Sequence, residues 1–240
     1  MKILFISDLH LCDKRNSIAF EKRRMSKLAE FIGSCGCDLV VNLGDAVSRR
    51  EFLRPEFSCE AEGFDYYLAW RNTLSVPFIE CAIDREFAFF EAKTGQKPDS
   101  FREVSPDLSI ITVAPKEAND HRFTGEQLDF LENALASCRT PAVVIASHVP
   151  YPGSCSRAVA PGIFLEIPER LRELLENSPR RIYWAGGHFH WAEEPVAHFG
   201  SLAAFHGGRF SFESLESDGY LRMLETAAGP VTTVINSFRW

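Results

Sequence analysis

The chain is predicted to be an α/β protein. Three features of its 240 residues point there: short apolar runs alternate with longer amphipathic segments, a few kinds of polar residue directly follow those runs, and the composition is globular. Hydrophobic residues make up 45% and charged residues 25%, close to the average for folded domains, which excludes disorder and a coiled coil. A chain of this length buries roughly 70 to 75% of its unfolded surface, so a sizeable core is available. With 26 Lys and Arg against 33 Asp and Glu, the net charge is -7. That balance excludes a general nucleic-acid coat and a polybasic membrane binder, and leaves room for a local basic pocket.

The apolar runs are Ile3 to Ile6, Leu39 to Leu43, Pro77 to Cys81, Ser109 to Val113, Ala142 to Ala146 and Ile182 to Ala185. Between the first two, Ile18, Met25, Leu28, Ala29 and Ile32 recur at helical spacing while Glu21, Lys22, Arg23 and Arg24 are polar, which predicts one inward stripe. Thr124-Gly-Glu-Gln127 is a capping-box signature ahead of Leu128, Leu131 and Leu135. Arg170 to Glu176, entered after Pro168, reads as another helix. Residues 48–75 are irregular and then helical, with Phe64, Tyr67 and Leu68, and read as a lid segment or a buried helix. From 194 to 240 short pieces separated by Gly or Asp predict antiparallel strands. No linker divides the chain, so a single domain over 1–240 is expected.

No run reaches the roughly 18 apolar residues of a membrane span, and Lys2 to Ile6 stops at Ser7-Asp8, short of a signal-peptide core. Seven cysteines form no zinc-ribbon spacing, and Cys35-Gly36-Cys37 has one intervening residue rather than two. Ordinary thiols in a reducing cytoplasm are the expectation.

The chemistry-bearing residues sit immediately after the apolar runs, where strand ends of an α/β sheet converge on a crevice. Asp8-Leu9-His10 follows the first run, Gly44-Asp45 the second, Asp84 the third, Ser147-His148 the fifth and His188-Phe189-His190 the sixth. One aspartate after a strand is often only a helix cap; five such placements in one chain are hard to assign to caps and surface histidines. Carboxylates with imidazoles suit zinc, manganese, iron or cobalt, whereas an all-oxygen set would suit magnesium or calcium. Two ions sharing a carboxylate can activate a water between them and clamp a phosphate, which is hydrolytic chemistry. A Ser/His/Asp triad uses the same residue types, but no Gly-x-Ser-x-Gly elbow is present.

In order and strand context, Asp8-x-His10, Gly44-Asp45, Ser147-His148-Val149-Pro150 and Gly187-His188-x-His190 resemble the calcineurin-like metallophosphoesterases over about residues 1 to 205. The resemblance implies a four-layer α/β/β/α sandwich with two packed mixed β-sheets and a dinuclear site at the strand ends. It implies that Asp8, His10 and His190 hold one divalent ion, that His148 and His188 hold the other, and that Asp45 bridges them. One or two ions per chain are expected, of manganese, iron or zinc.

The third motif departs from the family: Gly-Asn-His-Asp or Gly-Asn-His-Glu is replaced by Cys81-Ala82-Ile83-Asp84. The family's asparagine is a ligand of the second metal and its histidine stabilises the transferring phosphoryl group or protonates the leaving oxygen; Ala82 and Ile83 do neither. Cys81 stands at the glycine position and is a weak substitute ligand. Replacement groups are sought in His121, Arg85 and His206, while His198 is left as structural or exposed and Trp191 as a pocket wall or core aromatic. The expected function is a metal-dependent phosphoric ester hydrolase acting on a phosphodiester or nucleotide-like small molecule through a metal-activated hydroxide, with Asp45, His148, His121 and Arg85 as catalytic residues. The rival is a catalytically silent scaffold of the same fold. The partner is a small phosphate ester rather than nucleic acid or membrane, and the sequence sets no oligomeric state.

Overall fold

Each of the six apolar runs is a strand in the computed structural model, which describes residues 1–115, 122–154, 165–188, 196–209, 219–226 and 232–238. The described chain divides into two compact units, one from Met1–Ile79 with the strands after Gly207, the other from Glu80–His188 with the stretch ending at His206.

In the first unit the strands are β1 (Lys2–Ile6), β2 (Leu39–Asn42) and β3 (Phe78–Glu80), joined late in the chain by β10 (Gly208–Arg209), β11 (Gly219–Glu225) and β12 (Thr232–Phe238). Their order is β10-β11-β1-β2-β3, with β12 on the far side of β11. β1 and β2 are parallel, Ile3 opposite Leu39, and β11 lies antiparallel to β1 with Lys2 opposite Glu225, so the sheet is mixed. Residues 3–6 and 39–42 are buried throughout, as expected of strands covered on both faces.

Helix α1 (Ile18–Ser34) starts where the Ser17 side chain accepts the Phe20 N–H. Its inward face differs from the expectation. Ile18 is 48% exposed, whereas Glu21 and Arg24, expected on the polar side, are enclosed with Met25, Leu28 and Ile32. The spacing 21, 25, 28, 32 is itself helical, so Glu21 shares the inward stripe, and Ile18 is the first residue of the helix. Within 48–75 lie a 3₁₀ turn (Arg50–Phe52) and helix α2 (Glu60–Arg71), which buries Gly63, Phe64, Tyr67 and Leu68. Gly63 is demanded by packing, since a Cβ there would meet Val47 Cγ1 at 2.5 Å.

The second unit opens with α3 (Phe87–Thr94) and the strands β4 (Ser100–Ser105) and β5 (Leu108–Thr112), followed by α4 (Gly125–Ser137) and β6 (Ala142–Ala146). It continues with α5 (Glu169–Glu176), β7 (Arg181–Gly186), β8 (Ala197–Phe199) and β9 (Leu202–His206). The order is β4-β5-β6-β7-β9-β8, with β5, β6, β7 and β9 parallel and the two edges antiparallel. The Thr124 capping box forms as the sequence predicts: its hydroxyl accepts the Gln127 N–H and the Gln127 side chain accepts the Thr124 N–H, each at 3.3 Å. Leu131 and Leu135 of α4 and Leu171 and Leu175 of α5 then pack with Val143, Ile145, Ile182 and Trp184. Trp184 donates its indole N–H to the Val149 carbonyl at 3.1 Å, fixing the chain that leaves β6.

Candidate metal centre

Asp8 and His10 follow β1 and Asp45 follows β2, and a ladder of backbone bonds joins the two loops. Leu43 donates to the Ile6 carbonyl at 2.8 Å, Asp8 to Gly44 at 3.0 Å, and His10 and Leu11 to Asp45 and Ala46 at 2.9 Å. To keep that ladder while turning their side chains together, Asp8, His10, Cys12 and Asp45 adopt φ values of 54°, 44°, 65° and 53°. Left-handed backbone costs non-glycine residues about 1 to 3 kcal/mol each and persists where surroundings over-determine it. His10 Nε2 stands 3.5 Å from Asp45 Oδ2 and 3.8 Å from Asp8 Oδ1. All three side chains are buried, and the Ser7 hydroxyl donates to the Asp8 carboxylate.

In the second unit, His148 follows β6 and His188 follows β7. Gly187 donates to the His148 carbonyl at 2.9 Å, and Gly186 allows the approach, since a Cβ there would lie 2.8 Å from Pro150 Cα. His188 is again left-handed, at φ 71°. His148 Nε2 and His188 Nδ1 are 3.2 Å apart. Two ligands bound at the usual ~2.0 to 2.1 Å and separated by 90 to 109° would be ~2.9 to 3.4 Å apart, so this pair fits adjacent ligands of one ion. Carboxylate and imidazole donors of this kind suit a divalent metal ion.

Of the five described non-glycine residues with positive φ, four are residues that the sequence puts forward as ligands: Asp8, His10, Asp45 and His188. His190, His121 and Trp191 lie outside the described residues. Asp84 and Arg85 begin the turn after β3, both half-buried, whereas Cys81, Ala82 and Ile83 are 2%, 0% and 5% exposed. Burial pushes the Cys81 thiol far above its ordinary range, so it stays protonated and is a poor ligand. His198 is exposed. His206 is enclosed rather than a surface residue, and its backbone pairs opposite Gly186, so β6, β7 and β9 end side by side with His148, His188 and His206.

Sequence reading passed over the groups that hold the first loop. Asp13 is wholly enclosed; its Oδ1 accepts from Arg15 N and Nε at 2.8 and 2.9 Å, and its Oδ2 from Arg15 Nη2 and Ser48 Oγ at 2.7 and 2.8 Å. Burial raises the Asp13 carboxyl's pKa, but the hydrogen bonds from Arg15 and Ser48 outweigh it and hold the group below the usual carboxylate range. A depressed folded-state pKa contributes stability above the unfolded value of about 3.9, lost as pH falls through the folded one. Asp13→Asn should therefore lower Tm at neutral pH, with the gap from wild type narrowing in acid; a gap constant from pH 7 to pH 2 would contradict the assignment.

The two mixed sheets with their covering helices define the calcineurin-like metallophosphoesterase fold. The particular likeness is to a dimetal phosphatase from Danio rerio, whose structure aligns over 98% of both chains at 13% identity with a TM-score of 0.68. A second solved structure aligns over 98% of both chains at 11% identity and a TM-score of 0.61, and a Vps29 variant from Entamoeba histolytica over all of both chains at 12% and 0.40. No protein-family model and no curated protein matches the chain in sequence. Among the described residues no helix is long and apolar enough to cross a membrane.

Proposed function

We propose that the chain hydrolyses a phosphoric ester, a phosphodiester or nucleotide-like small molecule, at a divalent-metal centre drawn from Asp8, His10 and Asp45 with His148, His188 and His190. The observation that carries this reading is that Asp8, His10, Asp45 and His188 hold left-handed backbone, with His10 beside Asp8 and Asp45 in one unit and His148 beside His188 in the other. Divalent ions bound there would supply an activated water and positive charge for the phosphate. The chain's own groups do the rest: Asp8, Asp45 and neutral imidazoles bind, while the Ser7 hydroxyl orients the Asp8 carboxylate. Arg85, and His121 on sequence grounds alone, are the candidates to meet charge on the leaving oxygen. The six described cysteines are free thiols, in keeping with a cytoplasmic protein.

The second reading, a silent metal-binding or partner-binding scaffold, is favoured by the enclosed, apolar Ala82 and Ile83. Metal analysis of purified protein with a panel of phosphomonoesters and phosphodiesters separates the two. Hydrolysis that chelation abolishes supports the first; bound metal with no ester turned over supports the second. Lacking the family's histidine acid, turnover should depend steeply on leaving-group pKa, with activated aryl esters far faster than alkyl esters. Similar rates for both would mean another acid is in place, with His121 and His206 the first to mutate.

A further inference from the structure

The loop carrying Asp8 and His10 runs on to Cys12, its third left-handed residue, and is held from beneath by an ion pair that the ligand pattern does not use. Glu21, on the inward face of α1, is fully enclosed. One of its oxygens accepts the Cys12 backbone N–H at 2.6 Å, and the other accepts Arg54 Nη2 at 3.0 Å. Arg54 returns to the same residue, its backbone N–H donating to the Cys12 carbonyl at 2.8 Å, while its Nε holds Glu56 at 2.7 Å. Both backbone polar groups of Cys12 are thus taken by one buried pair. Neighbouring groups act alike: the Ser48 backbone N–H donates to the Leu11 carbonyl at 3.0 Å and Arg24 Nη2 to the Leu9 carbonyl at 3.5 Å.

We infer that Glu21 and Arg54 are positioning residues, a buried clamp that fixes the Asp8–His10 loop in its ligand-presenting conformation and thereby sets the metal affinity of that loop. The inference rests on the proposed metal centre but not on the ester chemistry. A buried pair is weak evidence for stability, because apolar residues of similar volume often fold as well or better. Its presence where three left-handed residues must be maintained is accounted for by orientation: groups that orient ligands from behind typically change metal affinity 10- to 100-fold when removed.

The test uses the full chain and Mn²⁺ alone. Mn²⁺ affinity by calorimetry, melting temperature in chelator, and amide exchange at Leu9 to Asp13 without metal are compared for wild type, Glu21→Gln, and Glu21→Met with Arg54→Met. Glu21→Gln keeps an acceptor for Cys12 but takes the buried carboxylate from Arg54, which retains Glu56 alone, so its melting temperature falls and Mn²⁺ binding weakens moderately. The double methionine variant removes both charges and refills the volume. It should melt at least as high as Glu21→Gln, yet bind Mn²⁺ about 10- to 100-fold more weakly than wild type, with faster exchange at Cys12. A double variant that binds Mn²⁺ as tightly as wild type overturns the clamp, as does a wild-type chain that takes up no Mn²⁺. Absence of ester hydrolysis with the affinity pattern intact would sink the phosphoesterase reading and leave the clamp standing.

Discussion

Asp45→Asn should lose most metal and most hydrolytic activity together. Asparagine is the informative replacement because position 45 has φ 53°, a conformation that aspartate and asparagine tolerate far better than alanine. The substitution therefore keeps the backbone and volume and removes the charge. If Asp45 is shared between two ions, both lose a ligand, so metal content should fall for both, whereas His188→Asn should affect only the ion beside His148. The charge stabilisation a metal supplies is worth several kcal/mol, and each ~1.4 kcal/mol is tenfold in rate, so kcat/KM should drop by about 10²-fold or more. If position 82, an alanine, leaves an ion beside His148 without an amide ligand, that ion should fill later in a titration. Anomalous scattering at both positions checks this; equal, tight filling of both, or an Asp45→Asn chain with unchanged metal, would contradict the shared-ligand assignment.

The parts of this molecule that were legible in sequence are those where one physical demand dominates. Ala142 to Ala146 forms β6 at the limits its apolar run suggests because a central parallel strand, covered on both faces, must be apolar throughout. Thr124 and Gln127 were legible because a capping box is local chemistry. The candidate ligands stand out in the sequence because strand ends are where side chains can converge. By contrast, α3 and β4 carry no such signature. Phe87-Ala88-Phe89-Phe90 is apolar on every side, and β4 is an edge strand whose Ser, Arg and Glu leave no alternation to read. Glu21, Arg24 and Arg54 were missed for a different reason: periodicity sorts charged residues outward, and only their buried partners justify bringing them in. The one available signal was that Glu21 falls in register with Met25, Leu28 and Ile32, a charge at a core position.

Ala82→Asn with Ile83→His is expected to raise phosphoesterase activity at a measurable cost in stability. Asparagine returns a neutral oxygen to the ion with fewest ligands, and histidine returns a proton donor where negative charge develops, an effect commonly worth about 10² to 10⁴. The structure defines the opposing cost. Ala82 is wholly enclosed and Ile83 is 5% exposed, so the first change overpacks by about 1 to 3 kcal/mol and the second buries a polar ring. The Ile83 backbone is tied by its N–H to Glu86 Oε2 at 3.2 Å, which keeps the turn in place and limits how far the ring can swing outward. An enclosed imidazole also has its pKa lowered, so the gain should appear first at acidic pH, where the ring is protonated and can serve as the acid. The single and double variants should be assayed against alkyl and aryl esters over pH 5 to 8, with melting temperatures alongside. A double variant that is folded, holds two ions and gains nothing on alkyl esters at any pH would mean that the pocket has been reshaped for binding alone, and the silent-scaffold reading would take precedence.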